Sequence, residues 1–168
     1  MEIKFDKAKR LDEGTEAVIY KSGGLVAKVL HNSENADSNV LKNIRERLTN
    51  EYEIARDLYE NKISVPKPFG IFDLLFENKE CPAFVMQYID GKNLSELMES
   101  YKSARISLRL YDNARELAAI QIEAARKIGL VPYDANAKGN IVLSKSGIVY
   151  LIDFGQWQRV NPRQIHNI

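Results

Sequence analysis

The stretch "IVYLIDFGQW", Ile148 to Trp157, decides how this chain folds. Its apolar run reads as a strand that stops abruptly at Asp153, Phe154 and Gly155. Just upstream, "NIVLSKSG" supplies a second short run, so the whole of "NIVLSKSGIVYLID" reads as two strands around Lys145, Ser146 and Gly147. Further upstream again, "LVPYDANAKGNIVL" sets Asp134 and Asn140 in a loop ahead of that strand pair. Two loops that carry acids and an amide thus flank one short hairpin, and only thirteen residues follow Gly155.

At 168 residues the chain is one domain of ordinary size or two very small lobes, long enough to bury a core by packing alone. Hydrophobic residues make up 45% and charged residues 28%, a balance ordinary for a globular protein. No segment reaches the roughly 18 unbroken apolar residues of a membrane helix. The start, "MEIKFDKAKR", has no apolar centre of a secretory signal, so a cytosolic folding environment is expected. A formal charge of +1 gives no global field for nucleic acid or an anionic membrane. Cys81 is the single cysteine and reads as a small buried apolar residue; with His31 and His166 far apart, no Cys/His zinc cluster forms.

Earlier in the chain, "AVIY" and "LVAKVL" are β-rich runs joined by "KSGG", a hairpin signal. From Val40 to Asn61, Leu41, Ile44, Leu48, Ile54, Ala55 and Leu58 follow a helical period that Glu51 interrupts. Pro66 and Pro68 end that helix, and "FDLLF" and "AFVMQYI" follow as strands flanking the turn-like "ENKECP". After Gly91, "NLSELM" opens a short helix with Asn93 as N-cap. A second long helix from about Arg105 to Ile128 carries Leu108, Leu117, Ile120, Ala124 and Ile128, and Gly129 stops it.

These pieces occur in a telling order: a Gly-containing hairpin, a strand lysine, a helix with an embedded acid, a strand running into a break, a long helix, a loop with Asp and Asn, then Asp-Phe-Gly after a strand. That order resembles the protein-kinase-like superfamily, over nearly the full length to Trp157. "GTEAVIY", "SVPKP", "VMQYIDGKNL" and "GIVYLIDFGQW" look most like small atypical kinases of the Bud32 and RIO kind. The "PYD" before the catalytic loop and the brevity are also similar to minimal bacterial effector kinases of the OspG and NleH type. The resemblance implies an α+β, bilobal protein-kinase-like fold. Residues 1–89 would form an N-lobe and hinge, with a five-stranded antiparallel sheet plus one helix; residues 90–168 would form a minimal, mostly helical C-lobe lacking an activation segment and C-terminal helices.

Residue roles follow from the same resemblance. In the phosphate-covering hairpin, Asp12, Gly14 and Ala17 occupy the family's three glycine places, so one glycine survives. Gly14 and Thr15 would bring backbone N–H groups to phosphate, while Ile19 and Val26 cover the adenine. Lys28, in "LVAK", fits the slot of the lysine that ties down the α- and β-phosphates, against the alternative of a solvent-facing lysine on an edge strand. Its carboxylate should be Glu51, with Glu53 as the rival, since residues two apart on a helix point to different faces. Met86 would be the gatekeeper, and Gln87 to Ile89 would offer backbone groups to the adenine edge. Asp134 would receive or orient the acceptor hydroxyl proton, Lys138 would neutralise the γ-phosphate, and Asn140 and Asp153 would hold Mg²⁺. Asn140 stands six residues after Asp134 where the family has five, and Pro132 and Tyr133 replace its His and Arg.

The implied function is an Mg-ATP-dependent protein kinase of the Ser/Thr type acting on a protein substrate in a cytoplasm, a host's if the chain is an effector. With the substrate platform missing, an activating or platform-completing protein partner is expected, and Trp157 with "NPRQIHNI" would cover the small C-lobe or offer that partner a surface. Control by activation-loop phosphorylation is not expected. The alternative is a pseudokinase, or an ATP-binding or ATPase module, in which the lengthened loop misplaces Asp134 and partner binding is the function.

Overall fold

The computed structural model describes residues 5, 8–33, 36–76, 79–103, 107–134 and 138–161. The residues fall into two units by their contacts, Met1–Glu53 with Lys67–Tyr88, and Ile54–Pro66 with Ile89–Ile168.

In the first unit, β1 (Lys9–Glu13), β2 (Ala17–Ser22) and β3 (Leu25–Leu30) form a meander, and β4 (Pro68–Phe76) and β5 (Lys79–Gln87) a hairpin. Together they make a five-stranded sheet in the order β1-β2-β3-β5-β4, antiparallel throughout. The alternation of β3 divides its side chains between two faces. Ala27 and Val29 join Leu74, Phe76, Cys81, Ala83 and Val85 in one buried cluster, so Cys81 is the small core residue its isolation suggests. Val26, Lys28 and Leu30 face the other way. On that second face Phe84 of β5 meets Tyr52 of the helix α1 (Ser38–Glu60) edge to face at 6.1 Å. Arg45 of α1 also bonds Asp73 of β4, and that hydrogen bond raises the arginine pKa further above its already high value.

Two strands run longer than the sequence suggests. β4 begins at Pro68, ahead of "FDLLF", and β5 includes Glu80, Cys81 and Pro82 from the stretch expected to turn. Pro82 is tolerated because the β3 ladder on β5 reaches only to Phe84, so the missing N–H falls beyond that pairing.

Helix α1 begins where the Asp37 carboxylate accepts the N–H groups of Asn39 and Val40, both at 2.9 Å. It ends in a Schellman arrangement, with Ile63 N–H donating to the Leu58 carbonyl and Lys62 at φ 63°. Its residues from Ile54 on count with the second unit.

The second unit adds β6 (Gly91–Asn93), α2 (Leu94–Lys102), α3 (Leu108–Lys127), β7 (Leu130–Pro132), β8 (Ile141–Ser144), β9 (Val149–Leu151) and β10 (Trp157–Arg159). The strands pair as β6-β8-β9 and as β10-β7. Asn93 caps α2 in a full capping box with Glu96, and Gly129 ends α3 at φ 81°. The expected helix start near Arg105 lies outside the described residues, as do His166 and the tail from Pro162.

The residues that mark α3 in the sequence are not those that bury it. Its buried stripe is Tyr111, Ala114, Ala118, Ile122 and Ala125, whereas Leu108, Leu117, Ile120 and Ile128 are exposed, Ile120 at 60%. Apolar residues sit on two sides of this helix, and the alanine-lined side allows close approach to its neighbours. Trp157 is buried and packs edge to face on Phe154 at 5.7 Å, within the small core. No helix among the described residues is long and apolar enough to cross a membrane.

Candidate functional site

The sequence candidates fall into two groups, each within one unit. In the first, Lys28 lies on β3 between β2 and β5, so the edge-strand explanation of this lysine does not hold. Its cross-strand neighbours are Ile19 and Phe84. Lys28 is 8% exposed and Glu51 is 3% exposed. The ammonium donates to both carboxylate oxygens of Glu51, at 2.8 and 3.1 Å. Glu51 is the acid that breaks the apolar period of α1, and it sits on the buried face with Ile44 and Leu48 because the lysine waits there. Glu53 points elsewhere and stays half-buried.

The rest of this group surrounds β2, β3 and β5. Gly14 and Thr15 form the β1–β2 turn with Glu16, closed by the Gly14 N–H donating to the Ala17 carbonyl at 2.9 Å. Val26 pairs with Met86 across the β3–β5 ladder, and Gln87 ends β5. The Gln87 N–H goes to the Lys67 carbonyl and the Tyr88 N–H to the Gly24 carbonyl.

The second group is tied together by the backbone around the Asp-Phe-Gly stretch. β7 leads to Asp134, and the Tyr133 N–H donates to the Gln156 carbonyl at 3.1 Å. A 3-10 turn, Lys138–Asn140, leads into β8, and the Ile152 N–H donates to the Asn140 carbonyl at 2.9 Å, next to Asp153. The Asn140 amide donates to Asp134 Oδ2 at 2.8 Å, across the six-residue spacing. A carboxylate only accepts, so the NH₂ side of the amide must face Asp134, and the amide oxygen is directed elsewhere. Residues 135–137, which hold the extra position, lie outside the described residues.

Asp153 adopts φ 60°, the left-handed region, which an aspartate enters at a cost and which clusters at functional sites. The Gly155 N–H reaches back to its Oδ1 at 3.4 Å. Lys138 is exposed and borders a groove of about 840 Å³ with Leu94, Met98, Tyr111, Ile122 and Ile141. Ile89 lies half-buried between β5 and β6.

Asn140 and Asp153 carry side-chain oxygens of the kind that Mg²⁺ takes. Among the described residues no group of three or more His, Cys, Asp and Glu is arranged to hold a metal unaided.

Sequence reading passed over Glu16, Arg47 and His31. Arg47 bonds Glu16 at 2.7 Å, and the His31 ring bonds the Gly14 carbonyl at 2.9 Å. One signal was available, because Arg47 precedes Glu51 by four residues and so shares its helix face.

A family model described as a RIO domain matches residues 22–167. The match starts at the last residue of β2, so the β1–β2 turn precedes it. No curated protein matches the chain.

Proposed function

Because the chain belongs to the RIO domain family, a kinase-like and ATP-binding branch of the atypical protein-kinase-like superfamily, we propose that it is an Mg-ATP-dependent Ser/Thr-type protein kinase. Lys28, steadied by Glu51, ties the α- and β-phosphates while the Gly14–Thr15 backbone covers them. Ile19, Val26 and Met86 hold the adenine, and backbone groups from Gln87 to Ile89 take its edge. Asn140 and Asp153 are the metal ligands, and Mg²⁺ bound there supplies neutralisation of phosphate charge.

In the transfer, Asp134 accepts the proton of the acceptor hydroxyl as that oxygen bonds to the γ-phosphorus. The bond to the β,γ-bridging oxygen breaks, ADP leaves, and Lys138 offsets charge on the transferred group. The observation that carries this reading is the meeting of Asp134 with Asn140, at 2.8 Å, beside the left-handed Asp153. A protein partner belongs to the proposal, supported by exposed Leu117 and Ile120 on α3 and Ile128 at its C-terminal cap. It acts with the kinase in a cytoplasm.

Radiolabel transfer from γ-labelled ATP to proteins tests the proposal, with wild type beside Asp134→Ala and Asp153→Ala. Transfer that both substitutions abolish is expected. Mg-ATP binding that Asp153→Ala removes, with no transfer to any protein, would replace the kinase by a nucleotide-binding module.

A further inference from the structure

The turn proposed to cover the phosphates keeps a single glycine, and three contacts hold it in place. The His31 ring Nε2 meets the Gly14 carbonyl at 2.9 Å. A carbonyl only accepts, so Nε2 carries the hydrogen. The backbone N–H of the same histidine donates to the Glu16 carbonyl, also at 2.9 Å. Glu16 in turn receives Arg47 of α1 through an ion pair at 2.7 Å. Both ends of the turn are thus fastened to His31 just after β3, and the Glu16 end to the helix as well.

Arg47 and Glu51 lie four residues apart on one face of α1. A helix position that sets Glu51 on Lys28 therefore also sets Arg47 on Glu16. The Arg47–Glu16 pair is about half exposed on each side, so it adds little to folding. Its consequence is positional, since it joins the turn to the element that holds the phosphate-binding lysine.

We infer that Glu16, His31 and Arg47 are positioning residues that hold the β1–β2 turn in its phosphate-covering place and couple it to the Lys28–Glu51 pair. The inference rests on the nucleotide reading of the site. A brace of this kind replaces the ordering of a mobile glycine-rich loop, so the nucleotide meets a turn that is already set and less is lost on binding.

Dissociation constants for Mg-ATP and for adenosine test it, in wild type, His31→Ala, His31→Gln, Arg47→Ala, Glu16→Ala and the Arg47→Ala/Glu16→Ala double variant. Each alanine variant should weaken Mg-ATP about two- to fivefold, the range of an exposed ion pair, and leave adenosine and the urea midpoint unchanged. The double variant should lose no more than either single one, and His31→Gln, which keeps a donor, should bind as wild type does. Unchanged Mg-ATP affinity across the variants, or equal weakening of adenosine, overturns the inference while the nucleotide site stands. A wild type that binds no Mg-ATP overturns the nucleotide reading itself, and the brace with it.

Discussion

Glu51→Ala is the substitution whose effect the structure constrains most. It removes the carboxylate that receives two hydrogen bonds from Lys28 and leaves the ammonium at 8% exposure, on a sheet face shared with Ile19 and Phe84. Breaking a buried pair from one side costs about 3–5 kcal/mol, a large part of the stability of a domain. With a urea dependence near 2 kcal/mol per molar, the unfolding midpoint should fall by about 2 M. Lys28→Met with Glu51→Leu removes both charges and keeps the volume apolar, so the double variant should regain most of the lost stability. It should not regain nucleotide binding, because the ammonium proposed to bind phosphate is gone. Urea melts and Mg-ATP titrations of wild type, the single and the double variant separate the two roles. A single-variant loss below about 1 kcal/mol would refute the reasoning, since a pair that cheap behaves as an exposed one.

Other outcomes follow from the backbone. Gly91→Ala should destabilise the second unit by about 2 kcal/mol or more, read by urea melt, because a Cβ there would lie 2.3 Å from the Leu143 carbonyl oxygen. Gly14→Ala should leave the melt nearly unchanged, since the nearest atom to the new Cβ is 3.7 Å away, yet weaken Mg-ATP in a binding titration if the turn covers phosphate as proposed. Lys62→Gly should stabilise the chain by about 1 kcal/mol in the same melts, by relieving a lysine held at φ 63° at the end of α1.

Much of this was legible because the decisive residues violate their local pattern. Glu51 interrupts an apolar helical period, and Lys28 interrupts an apolar strand; each exception is explained by the other. Asp153 ends a strand where the backbone turns left-handed, and Asn93 and Gly129 announced helix ends through short-range chemistry that needs no tertiary context. The α3 face was not legible, because that helix has apolar residues on two sides and periodicity does not say which meets a neighbour. The start of β4 and the reach of β5 through Pro82 were hidden by prolines, whose strand compatibility depends on which ladder passes them. The His31–Gly14 and Arg47–Glu16 contacts join positions 17 and 31 residues apart, a separation at which composition is silent.

The most direct test of the central claim, that the chain takes an Mg-nucleotide, is nuclear magnetic resonance of the labelled chain titrated with Mn²⁺-ATP. Amide signals of Asn140, Asp153 and Gly155 should broaden, and only when nucleotide is present. No broadening of these signals, or broadening by Mn²⁺ that ATP does not change, would contradict the account.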